Sequence, residues 1–186
     1  MSNEQLHPTL WRTCRVLAST TRLRLLAQLA RKQPQSVSEL AEQLALTLPV
    51  ASQALRALES RGLLKARRIR RRVEYRILAS DDAGSIADLV FALQKTLRQT
   101  TDSTEEIIRL ATGFTHPSRI EIYRSLQAQP LTQEQIQVAT RVSFQAMFRH
   151  LRKLVSRGYV VAAGNKYQTA THPHIVGQAL ASLAVR

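Results

Sequence analysis

Eight basic side chains stand between Arg61 and Arg76 against one acid, Glu74, so half of the chain's net charge of +14 sits in 16 residues. Guanidinium groups at this density neutralise phosphates and release the counterions condensed on a polyanion. They also suit a narrow minor groove, where the negative potential favours Arg. Arg67, Arg68, Arg70, Arg71 and Arg72 form the densest part of the run. Upstream, Pro49, Ser52, Gln53 and Arg56 fall on the outward face expected of a helix over residues 49–61, with Val50, Ala54, Leu55 and Leu58 turned inward. Ser and Gln donate and accept at base edges, and Arg reaches a guanine or a phosphate. Gln145, Arg149 and Arg152, beside His150, occupy the matching face of a later helix. Together these are the candidate DNA-binding residues. A charge run is often only a solvated face or a localisation tag, but this one falls inside a predicted hairpin next to a predicted recognition helix.

Other chemistries find little support. The single cysteine, Cys14, allows no intrachain disulfide and no multi-thiolate metal site, and it lies on an apolar stripe as a small core residue. His172-Pro-His174 is the only His pair, and without neighbouring carboxylates it reads as a solvated loop. No serine–histidine pair, paired carboxylates or Gly-rich phosphate loop stands out, so we expect neither an enzyme nor a cofactor. The N-terminus has neither a basic flank nor an apolar core, and no apolar run approaches the ~18 residues of a membrane span, so a cytoplasmic protein is expected.

The elements that must position these residues are given by a repeat. Leu55-Arg-Ala-Leu-Glu-Ser-Arg-Gly-Leu-Leu64 returns 96 positions later as Leu151-Arg-Lys-Leu-Val-Ser-Arg-Gly-Tyr-Val160, with six of ten residues identical. Each copy ends a helix at a Gly and continues into a strand-like run, the back half of a winged helix-turn-helix. In the first copy a helix opening near Pro8 carries Leu6, Leu10, Cys14 and Leu17, and a second carries Leu23, Leu26, Ala27 and Ala30. A short helix follows Ser38, and Thr47 or Leu48 caps the next, with Pro49 in its first turn. Strands at 63–69 and 73–78 make the wing, and a helix at 84–99 presents Ile86, Leu89, Val90, Leu93 and Leu97 on one stripe. The second copy repeats this order from Asp102, with Arg119 matching Arg22, Thr132 or Gln133 as a cap, Ser143 opening the later helix, and a Gly164-Asn165 hairpin turn. Its Phe144, Met147, Phe148 and Leu151 read as core, and its wing is about four residues shorter and almost uncharged.

The stretches Leu17-Ala-Ser-Thr-Thr-Arg-Leu-Arg-Leu-Leu26, Val37-Ser-Glu-Leu-Ala41, and Val50-Ala-Ser-Gln-Ala-Leu-Arg-Ala-Leu58 with Gly62-Leu-Leu64 resemble the ArsR family of bacterial winged-helix repressors. The resemblance covers residues 10–98, with a weaker echo over 105–183. It implies a transcriptional regulator that places the helix at 49–61 in the major groove of double-stranded DNA. Metal-sensing members of that family carry cysteines in the helix matching residues 37–44, and this chain has none there. The expected fold is therefore mainly α with small β-hairpin wings: two tandem winged helix-turn-helix domains, 1–100 and 101–186, with flanking amphipathic helices. The helices at 84–99 and 174–184 would join two chains as a homodimer, or meet within one chain as an intrachain pseudo-dimer. A winged-helix assembly module with only non-specific nucleic-acid binding is the alternative.

Overall fold

The computed structural model describes residues 9–70, 72–79, 83–99 and 103–186. Leu6, Pro8, Arg71 and Asp102 lie outside the described residues. The first half runs α1 (Leu10–Leu17), α2 (Thr20–Arg31), β1 (Gln35–Ser36), α3 (Val37–Gln43), α4 (Leu48–Glu59), β2 (Leu64–Ile69), β3 (Arg72–Ile77), a 3-10 turn at Gly84–Ile86, and α5 (Ala87–Gln99). The second runs α6 (Ser103–Ala111), α7 (Pro117–Ser125), β4 (Leu131–Thr132), α8 (Gln133–Thr140), α9 (Phe144–Ser156), β5 (Val160–Ala163), β6 (Lys166–Thr169) and α10 (Ile175–Val185). The fold is mainly helical with two small antiparallel sheets, ordered β1-β3-β2 and β4-β6-β5. Each expected two-stranded wing thus gains a two-residue third strand, which ties the start of α3 or α8 to the far strand of the hairpin.

Local chemistry accounts for the boundaries. The helix α3 opens at Ser36, not after Ser38: Ser36 Oγ accepts from Glu39 N (3.3 Å) while Glu39 Oε2 accepts from Ser36 N (2.7 Å). That reciprocal box satisfies two backbone donors at once, which a cap at Ser38 cannot do with Glu39. Thr132 and Gln135 form the same box at α8. Thr47 stands at the N-cap of α4, with Pro49 in the first turn. The helix ends at Glu59, two residues short of the expected Arg61, because Gly62 at φ +70° turns the chain back toward the core. The turn before each recognition-type helix also repeats: Ala45 and Arg141, 96 positions apart, hold φ of 52° and 54°.

The matched pair Arg22 and Arg119 plays one role in both halves. Arg22 Nε donates to Val16 O (2.5 Å) and Arg119 Nε to Gly113 O (2.8 Å), each tying a helix start to the end of the preceding helix. Counterpart helices then pack on each other across the halves, α1 on α6 and α5 on α10, the contact pattern of an isologous interface. The α5 stripe of Leu89, Val90, Leu93 and Leu97 is buried, as are Val176, Ala179 and Leu180 of α10. The two helices expected to dimerise therefore meet inside one chain. Cys14 is fully buried in this shared core, and burial pushes its thiol far above the usual range.

Candidate nucleic-acid interface

The wing is pinned on one face and open on the other. Register pairs Leu64 with Ile77, Ala66 with Tyr75 and Arg68 with Val73, and Leu64, Tyr75 and Ile77 are buried. Opposite residues in an antiparallel ladder share a face, so Lys65, Arg67 and Ile69 lie with Arg76, Glu74 and Arg72 on the outer side. Ala66 N donates to Glu59 Oε1 (3.2 Å), fixing the wing against the end of α4. Arg67, Arg68, Arg70 and Arg72 are all exposed, while Arg71 lies outside the described residues. Arg70 holds φ +54° at the hairpin tip, a left-handed conformation where Gly or Asn costs less. A long cation kept at a strained tip is consistent with a use for its charge.

On α4, Pro49, Gln53 and Arg56 are exposed and Ser52 is half-buried. Arg56 folds back onto its own helix, donating from Nη2 to Ser52 Oγ (2.9 Å) and from Nε to Ser52 O (3.4 Å). A base or phosphate contact by Arg56 has to replace these bonds. One inward assignment is corrected: Val50 is 45% exposed, and Ala51 takes its place beside Ala54, Leu55 and Leu58. The helix packs closely there, so the small side chain faces the core while Leu48 and Val50 extend the outward surface.

In the second half Gln145, Arg149 and Arg152 are exposed as expected. Phe144 and Phe148 are not core; they are 51% and 49% exposed, and with Gln145 and Arg149 they line a shallow depression. Met147, Leu151 and Leu154 suffice to fill the inward stripe of α9. Phe148 stands where α4 has Ser52, so the two outward faces differ in chemistry at matching positions.

The histidines are also relocated. His172 is buried rather than solvated, with Nδ1 accepting from His174 N (3.0 Å) and Nε2 donating to Arg157 O (3.1 Å). It fills the space in front of Gly158 and Gly177. His174 caps α10 through Nδ1, which accepts from Val176 N (3.1 Å). Among the described residues no cluster of three or more His, Cys, Asp or Glu is gathered. His150 lies with its ring 4.6 Å from that of His116, and burial, then His116, Arg119 and Arg149, hold it down to about 4. Unfolded His titrates near 6.5. Between these values the unfolded chain binds a proton that the folded chain refuses, so His150's contribution is intact above pH 6.5 and lost as pH falls toward about 4. Burial holds His174 down in the same direction. Urea midpoints at pH 7.5 and 5 should show this loss, and His150→Ala should reduce it; an identical drop in the variant would contradict the assignment.

Two observations now meet at one surface, an exposed helix face preceded by a tight turn and an Arg-rich hairpin fixed to that helix's end. Residues 17–67 match a helix-turn-helix domain. The matched stretch runs from the end of α1 through α4 into the wing. It supports a DNA-binding regulator of the winged helix-turn-helix kind. No curated protein matches the chain. Among the described residues, no helix is long and apolar enough to cross a membrane.

Proposed function

We propose that the chain is a sequence-specific, double-stranded-DNA-binding transcriptional regulator, a repressor of ArsR-like type, built as a tandem duplication of the winged helix-turn-helix over residues 1–100 and 101–186. Helix α4 enters the major groove, where Pro49, Ser52, Gln53 and Arg56 face base edges and phosphates. The wing lays Arg67, Arg68, Arg70, Arg71 and Arg72 along the backbone or into the adjoining minor groove. The observation that carries this reading is the bond from Ala66 to Glu59, which sets four exposed guanidinium groups at a fixed place beside the outward face of α4. Helix packing supports a pseudo-dimer within one chain, since α5 and α10 already cover each other.

In the second half, α9 makes the second contact through Gln145, Arg149 and Arg152. Phe144 and Phe148 meet thymine methyl groups, the apolar feature of the major groove. Replacing Phe148 with Ser, the residue at the matching position of α4, should leave stability unchanged, because half of the ring is already exposed. DNA affinity should fall about fivefold or more, within the ~1–3 kcal/mol of one base contact. Unchanged affinity would remove α9 from the interface.

The exposed Val138, Phe144 and Phe148 favour a second reading, a winged-helix assembly module that binds nucleic acid without sequence preference. Sequencing the genomic fragments that co-purify with the protein separates the two. The regulator predicts enrichment of a defined site that survives competitor DNA. A flat fragment distribution would leave only the assembly module standing.

A further inference from the structure

A cavity of about 450 Å³ opens where the two halves meet, away from the wing and the outward faces of α4 and α9. Leu10 and Trp11 of α1, Ile86, Ile120 of α7 and Leu183 of α10 make its walls largely apolar. This volume falls within the range of small-molecule sites, which combine apolar walls with a few placed polar groups. One such group is conspicuous. Thr13 lines the cavity at 1% exposure, and its Oγ1 has no hydrogen-bond partner. A buried hydroxyl left unpaired carries a cost, and a small shift of its neighbours, which close Oγ1 to water, lets a ligand oxygen remove it.

The rim selects the polar end of that ligand. Arg124 uses Nε to bond Ala184 O (2.6 Å), which leaves the two terminal nitrogens of its guanidinium as donors. Arg186 bonds Ser85 O and Asp88, and Glu121, exposed at the rim, is free to stay solvated. Thr13 and Arg124 thus both offer donors around an apolar chamber beside an indole ring.

We propose that this cavity is a binding site for a small aromatic carboxylate, its ring held against Trp11, Ile120 and Leu183 and its carboxylate received by Thr13 and Arg124. The site is independent of the DNA reading, because its walls include none of the residues assigned to DNA.

Trp11 is the chain's only tryptophan, so its fluorescence reports directly on the cavity. Titration of the full chain with 2-naphthoate, without DNA, should give saturable quenching, and naphthalene-2-methanol should bind more weakly. Thr13→Val keeps the shape and removes the hydroxyl. It should weaken 2-naphthoate about three- to tenfold, as the loss of one hydrogen bond implies, without lowering the melting temperature. Leu183→Phe fills the chamber and should abolish quenching while circular dichroism stays native. If that variant fails to fold, Thr13→Val carries the test alone. Absence of saturable quenching in the wild type, undiminished binding in a folded Leu183→Phe, or unchanged affinity in Thr13→Val would overturn the site. Equal or tighter binding of the alcohol would overturn the carboxylate.

Discussion

Replacing Arg67, Arg68, Arg70 and Arg72 together with Ala should flatten the salt dependence of DNA binding by up to about 3.6 in log K against log salt, from about 0.9 per phosphate contact. By the same rule the wild type should lose about a hundredfold more affinity than the variant between about 50 and 200 mM salt. The effect is large because these side chains are exposed, clustered and fixed in register by residues that the substitutions leave alone. Leu64, Tyr75 and Ile77 hold the inner face, and Ala66 N still reaches Glu59. The variant should therefore melt like the wild type, which separates lost contact from lost fold. Removing Arg149 and Arg152 instead should lower the slope by about 2 at most. Binding titrations from 50 to 300 mM salt would decide, and an unchanged slope in the fourfold variant would sink the wing assignment.

The second large effect concerns stability. A methyl group on Gly113 would sit 2.4 Å from Tyr159 Cε2 and 2.7 Å from Cδ2, with Leu110 O at 3.1 Å. Tyr159 cannot retreat. It is fully buried, its hydroxyl donates to Leu110 O (3.1 Å), and its ring lies 4.4 Å from Phe114 and 5.3 Å from His172 between centroids. Overpacking of a rigid core costs typically 1–3 kcal/mol, and we expect Gly113→Ala at the upper end, about 3 kcal/mol, by urea denaturation. Tyr159→Leu should cost on its own, yet Gly113→Ala should cost much less in that background, giving a coupling above about 1 kcal/mol. A change below about 0.5 kcal/mol in the single variant would show that the ring yields.

Much of this architecture was legible because its signals are local. Capping residues, prolines in first turns and glycines at φ > 0 act within a few residues, and the repeat doubled the capping box and the helix-ending glycine. The capping box of α3 was itself written as Ser36-Val-Ser-Glu39, but Ser38 stood nearer the apolar run and drew the boundary two residues late. Position 50 shows a different limit. Val50 and Ala51 both fit the stripe of Ala54, Leu55 and Leu58, and hydrophobicity favours Val while close helix packing favours Ala. Phe144 and Phe148 misled in the same way, since apolar character does not say whether a stripe already has enough side chains. His172 and the cavity could not be read from the chain, because Gly158 and Gly177, and the walls from α1, α7 and α10, come together only in the fold.

The packing of α5 on α10 holds the two halves side by side within one chain. Two identical chains related by a two-fold axis must read the same half-site twice, so their operator is a palindrome. On the proposed function the two readers are joined in one molecule, and matching positions carry Ser52 against Phe148 and Gln53 against Arg149. The protein would then have a head and a tail on the duplex. Reversing its site relative to a promoter would exchange which half faces the start of transcription, a polarity that a symmetric dimer lacks.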